Sequence, residues 1–187
     1  MKTQYYTATS VDGYLADEDN SLEWLFQFGE VDGVDDGYSQ FMDQVGALAM
    51  GSTTYEWVVD HENLLERPEE WSYDIPAWVF STRELPAVEG ADINFVQGDV
   101  APVHAEMVDA AGGENVWLVG GGDLVGQFHD QGLVDEIILS VAPVTLASGA
   151  PLLPRRITDP PLKPTNVKKQ GDVFAVLTYE VRQSTES

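Results

Sequence analysis

Apolar and polar positions along the chain change their period several times, and each change marks a new element. Tyr5-Tyr6-Thr7-Ala8-Thr9-Ser10 has the composition of a strand and runs into Val11-Asp12-Gly13, a turn signal. Leu22, Trp24, Leu25 and Phe28 then recur at near-helical spacing, which predicts a short amphipathic helix capped by Asn20 or Ser21. Residues 29–37 are rich in Gly and Asp and predict a loop. Tyr38, Phe41, Met42 and Val45 predict a second helix that feeds the strand Ala47-Leu48-Ala49-Met50. Gly51-Ser52-Thr53-Thr54 punctuates that strand and offers hydroxyl caps to a helix through Tyr55, Trp57 and Val58.

The acidic stretch 60–74, which contains Pro68, predicts a surface excursion, and Ala77-Trp78-Val79-Phe80 is the next strand, closed by Ser81-Thr82-Arg83. Ile93-Asn94-Phe95-Val96 predicts a further strand, and residues 103–111 a helix ended by Gly112-Gly113. Val116-Trp117-Leu118-Val119 is apolar throughout, as befits a strand buried on both faces, and a helix through Val125, Phe128 and His129 follows it. Strands that alternate with helices imply a mainly parallel sheet. From Val134 the rhythm changes. Residues 137–141 form one more strand, and residues 166–170 pair with 173–181 across Gly171-Asp172, a strong hairpin signal. The expected fold is α/β, a three-layer arrangement of a mainly parallel mixed sheet with a C-terminal antiparallel hairpin and helices on both faces. No internal repeat or linker divides it, so residues 1–187 are expected to form one domain.

Composition narrows the function. With no Cys, thiolate zinc sites, cysteine nucleophiles and disulfides drop out together. His61, His104 and His129 share no metal-ligand spacing, and Asp17-Glu18-Asp19-Asn20 lacks the glycine and the bidentate Glu of a calcium loop, so no metal is expected. A formal charge of −23 makes nucleic acid a poor partner, and acids interleaved with apolar residues read as solvated faces of a folded domain that suit a high-salt cytoplasm. No apolar run is long enough for a membrane span or a signal peptide, which predicts a soluble cytoplasmic protein with no membrane partner.

Two strand ends could hold a phosphorylated ligand. Val119-Gly120-Gly121-Gly122-Asp123-Leu124 carries an apolar strand through three glycines into a helix, where unsatisfied amides and the helix dipole favour an anion such as pyrophosphate. Taken alone, such a turn could equally be a matter of tight packing, since it is not the G-x-G-x-x-G fingerprint. Gly51-Ser52-Thr53-Thr54 offers a second helix start after a strand, and Arg83, one of 9 basic residues, offers a guanidinium fork for a phosphate. A surface ion pair would explain Arg83 as well.

Five segments in this order resemble the dihydrofolate-reductase-like superfamily along almost the whole chain: Ala8 to Leu15, Met50 to Glu56, Val79 to Arg83, Val119 to Leu124, and Leu133 to Ile137. The Ser10-Val11-Asp12-Gly13-Tyr14 opening and the stretch from Val134 to Leu153, with Pro143 and Gly149, are more similar to the branch containing the reductase domain of riboflavin biosynthesis than to true dihydrofolate reductases. The resemblance implies a reduced nicotinamide cofactor lying across the carboxyl ends of the sheet. The pyrophosphate would lie at Val119, Gly120, Gly121, Gly122, Asp123 and Leu124, and the adenosine phosphate end at Gly51, Ser52, Thr53, Thr54, Ser81, Thr82 and Arg83. Ala8 and Leu15 would hold the nicotinamide. NADPH is implied over NADH, with Arg83 reading the 2′-phosphate, because Ser52 stands where many dihydrofolate reductases carry an Arg.

The implied chemistry is hydride transfer to a C=N or C=O carbon of a small heterocyclic or sugar-linked substrate. Glu23 is the nearest counterpart of the carboxylate that binds the pteridine ring in dihydrofolate reductases, with Asp12, Tyr14 and Trp24 as further substrate-side candidates. For two of these the residues themselves allow a plainer role: Glu23 could simply face solvent, and Asp12 could cap the turn at Val11 to Gly13. The resemblance also implies a homodimer, through the hairpin holding Val173, Phe174, Val176 and Leu177. A non-catalytic nucleotide-binding module, acting as sensor or scaffold, is the competing reading.

Overall fold

A computed structural model describes residues 1–29 and 34–183, with side chains for all of these except 34–36. The elements run β1 (Thr3–Thr9), β2 (Tyr14–Ala16), α1 (Glu23–Phe26), α2 (Val34–Met42), β3 (Val45–Gly51), α3 (Ser52–His61), a 3-10 turn (Pro68–Glu70), β4 (Ala77–Phe80) and β5 (Ile93–Val96). The second half contributes α4 (Val100–Ala110), β6 (Asn115–Gly120), α5 (Gly122–Asp130), β7 (Glu136–Val141), β8 (Ala150–Pro151), β9 (Lys163–Gln170) and β10 (Phe174–Glu180). Eight strands form one sheet in the order β5-β4-β3-β6-β1-β7-β10-β9, and β2 pairs with β8 in a second, two-stranded one. Neighbours from β5 to β7 run parallel, while β10 is antiparallel to both β7 and β9.

The continuous apolar strands are buried on both faces because helices cover both. In β3, Ala47 and Ala49 point into one core with Tyr5 and Leu118, roofed by Met107 of α4 and Phe128 of α5. Leu48 and Met50 point the other way, into a core shared with Val79, Trp117 and Tyr55 of α3 and bordered by Phe41 and Met42 of α2. The expected three-layer α/β fold is what forms. All parallel strands end on the same side, and the loops there build the site.

Several local expectations change. Leu22, not Asn20 or Ser21, is the cap residue of α1, which lasts one turn before the chain bends; Trp24, Leu25 and Phe28 pack instead on Ala142, Phe174 and Val176. The predicted loop 29–37 is helical from Val34 onward, residues 30–33 lie outside the described residues, and Val45 belongs to β3. The stretch 60–74 is more than a surface excursion, since Leu64 is fully buried and Trp71 and Tyr73 pack on the second core. At α3 the cap residue is Gly51, and no hydroxyl caps the helix.

Candidate functional site

Each parallel strand that leads into a helix leaves that helix's first amides without intrahelical partners, so strand ends side by side gather donors on one edge of the sheet. At the carboxyl end of β6 the chain passes through Gly120, whose φ of +139° only glycine adopts readily, and through a cis Gly120–Gly121 peptide. The helix α5 then starts with Gly121 as cap residue and no side-chain cap. Next to it, α3 starts from Gly51 in the same uncapped way. The two turns touch, for a Cβ added to Gly51 would stand 3.8 Å from Gly120 O and from Gly121 N.

Between them opens a cleft of about 500 Å³. Its floor is Thr7 and Ala8 of β1, Gly51, Phe80 and Val119. On one side stand Gly120, Gly121, Gly122, Asp123, Leu124 and Gln127, joined in the lining by Ala150, Pro154 and Pro151, whose carbonyl lies against Gly122. On the other stand Ser52, Thr53, Thr54 and Trp57 of α3, with Leu22, Leu25, Leu15, Ala16 and Asn20 completing the lining. Rings lock this second wall: Trp57 stacks on His61 at 4.6 Å between centroids, and Phe26 of α1 stacks on the same imidazole at 4.8 Å.

The fold thus gathers Ala8, Leu15, Gly51 to Thr54 and Val119 to Leu124 around one space. Ser81, Thr82 and Arg83 fall outside the lining. Ser81 Oγ accepts from the Arg83 N–H at 2.9 Å, and the exposed Arg83 guanidinium donates to both carboxylate oxygens of Glu56 at 2.9 and 2.6 Å. That carboxylate raises the Arg83 pKa further above its ordinary value. Glu23 is exposed and lies off the lining, as do Asp12, Tyr14 and Trp24. Asp12 accepts from Ser10 Oγ at 2.6 Å and from the N–H groups of Leu146 and Ala147 at 3.1 and 2.8 Å. These bonds, the Ser10 hydroxyl foremost, hold its carboxyl below the usual range. Tyr14 pairs with Pro151 in the small sheet.

The RibD C-terminal domain family model matches residues 53–175. The chain belongs to that family. Its members include the reductase domain of riboflavin biosynthesis. The chain is 34% identical to the uncharacterized protein YwjB of Bacillus subtilis (strain 168) over 181 residues, 97% of this chain and 98% of that one. A crystal structure of a Shewanella sp. PV-4 protein assigned to riboflavin biosynthesis superposes with a TM-score of 0.79 at 26% identity, covering 97% of this chain and 100% of the other. The Thermotoga maritima diaminohydroxyphosphoribosylaminopyrimidine deaminase/5-amino-6-(5-phosphoribosylamino)uracil reductase shares the fold, with a TM-score of 0.65 at 16% identity over 96% of this chain and 56% of that chain.

Within this RibD C-terminal domain cleft, several lining residues escape a reading of the sequence. Trp57 lies four residues after Thr53, and Gln127 four after Asp123, so helical spacing from each uncapped start would have found both. Asn20 has φ +57°, a left-handed conformation uncommon outside glycine, and only the folded chain brings it to the cleft. Ala150 and Pro151 of β8, with Pro154 just after it, arrive from more than 130 residues beyond β1. No helix among the described residues is long and apolar enough to cross a membrane.

Proposed function

We propose that the chain is an NADPH-dependent reductase that transfers a hydride to a C=N or C=O carbon of a small heterocyclic or sugar-linked substrate. One observation carries this reading: two uncapped helix starts, α3 and α5, meet on a single cleft at the strand ends. Their free amides and positive dipole ends suit a pyrophosphate, and above Gly121 an added Cβ would meet nothing within 4 Å, which leaves room for a close approach. A bound reduced nicotinamide would supply the hydride. Ala8 and Leu15 would hold the nicotinamide ring, and Leu22, Leu25 and Trp57 would offer an apolar wall that seats the acceptor beside it. Asp123 is the one ionisable side chain among the described lining residues, and it stands at the pyrophosphate end. A solvent proton reaching the open side of the cleft would complete the reduction at the acceptor heteroatom.

The 2′-phosphate is assigned to Arg83, beyond the α3 end of the cleft, in competition with Glu56. Titration of NADPH and NADH, followed by the fluorescence of Trp57 and the other tryptophans, tests the whole reading. NADPH should bind the more tightly, and Arg83→Ala should weaken it more than NADH. No binding of either at millimolar concentration would overturn the proposal, and equal losses would remove Arg83 from it.

A further inference from the structure

The charges around the cleft bear on what the reductase can accept. All 9 basic residues lie in the described part of the chain, and none lines the cleft. Lys2, Lys163 and Lys169 are paired with Glu136, Glu180 and Asp172, and Arg67 with Glu70. Arg155 donates to Asp130 and to Asp123 on the α5 side, with Arg156 next in the chain. Lys168 borders a separate cavity beneath the β9 edge, and Arg182 lies beyond β10. Arg83 sits on the β4 side of α3, its fork filled by Glu56, whereas Trp57 turns toward α1.

The wall formed by Leu22, Leu25 and Trp57 therefore has no lysine or arginine, and His61, stacked on Trp57, lies off the lining beside Glu62. The single-turn α1 adds no helix dipole of its own, and the uncapped start of α3, about one turn before Trp57, is the part assigned to the cofactor. Of the polar side chains that line the cleft none is cationic, and only Asp123 is charged. An anionic group placed there would lose its hydration, gain no partner and face a chain of net charge −23. At the cofactor end the amides of α3 and α5 meet an anion; at the acceptor end nothing does.

We infer that the acceptor is a planar heterocycle bearing no phosphate and no net negative charge, seated against Leu22, Leu25 and Trp57. The inference rests on the cofactor reading above, and it separates this chain from the phosphorylated substrate in the name of the Thermotoga enzyme.

The test is made on the full chain saturated with NADPH, using 5-amino-6-(ribosylamino)uracil and its 5′-phosphate as probes and tryptophan fluorescence as readout. The unphosphorylated probe should bind about tenfold more tightly or better, and added salt should narrow the gap by screening. Leu25→Arg, or Leu22→Arg if the first variant is unstable, should raise affinity for the 5′-phosphate selectively. Equal or tighter binding of the 5′-phosphate by the unaltered chain overturns the inference, as does failure of both probes to bind while NADPH binds. Failure of NADPH itself to bind would sink the cofactor reading instead.

Discussion

The two turns that frame the cleft look alike in sequence, and the structure gives them different tolerances. At the β3-to-α3 turn Gly51 has an ordinary extended conformation, φ −80°, and an added Cβ would find only loose contacts. At the β6-to-α5 turn Gly120 is in a glycine-only conformation, and a Cβ on Gly122 would stand 2.5 Å from the carbonyl oxygens of both Pro151 and Leu152. Two of the three glycines are thus explained by backbone and packing, without any ligand. The third, Gly121, is the one whose missing side chain leaves open space. A glycine run can serve the fold and the site at once, and only the neighbours tell which glycine does which.

The largest effect is expected from Gly122→Ala. With backbone on both sides of the new methyl, the loop must move, and the loss should be about 3 kcal/mol in urea unfolding, together with weaker NADPH binding. An unchanged unfolding midpoint would mean that the loop carrying Pro151 and Leu152 is not rigidly seated. Next comes the pair beyond the α3 turn: Glu56→Gln frees the Arg83 fork and should raise the NADPH-to-NADH affinity ratio about fivefold, on the scale of one charge-assisted bond. A ratio that falls would show that Glu56 positions Arg83 instead of competing for it.

A smaller effect separates the turns by pH. His104 of α4 packs under Phe128 of α5 and hydrogen-bonds Thr3 Oγ1 at 2.7 Å. Burial lowers its pKa below the ordinary 6.5, with Asp135 opposing. Below about pH 6.5 the unfolded chain takes up this proton more readily than the folded one, so the contribution is complete above that pH and is lost as pH falls through it. Amide protection factors in α5, taken against the intrinsic exchange rate at each pH, should therefore fall between pH 7.5 and 5.5 more than those in α3, and His104→Gln should abolish that difference. The smallest change belongs to Gly51→Ala, within about 0.5 kcal/mol of the parent; a loss as large as that of Gly122→Ala would erase the contrast.

Hydrophobic period made the layers legible, because a parallel sheet covered on both faces must be apolar at every position, as in Val116-Trp117-Leu118-Val119. Both helix starts were visible as glycine after strand. Other features depend on partners distant in sequence. The pairing of β2 with β8 involves five residues in all and leaves no periodic trace. Leu22, Trp24, Leu25 and Phe28 have helical spacing, yet their burial is set by Phe174 and Val176 on another strand and by the cleft. Glu23 stood out as the carboxylate beside Trp24, and it faces solvent. Arg83 stood out as a cation among acids, and its Glu56 partner lies 27 positions away in the chain.

The segment 142–155 limits where this chain can be cut or lengthened. Surface connections usually accept insertions and new termini. This one is stitched along its length: Val144 O accepts from Val11 N–H, Asp12 holds Leu146 and Ala147, and Ser148 bonds Glu18. Gly149 abuts Ala16 too closely for any side chain, and Leu152 bonds both Gly13 O and the Tyr5 hydroxyl. It acts as a splint joining the two ends of the cleft, so an insertion here would loosen both. Circular permutants and tags belong instead near Gly90 or Gly98, where the backbone turns with open space around it.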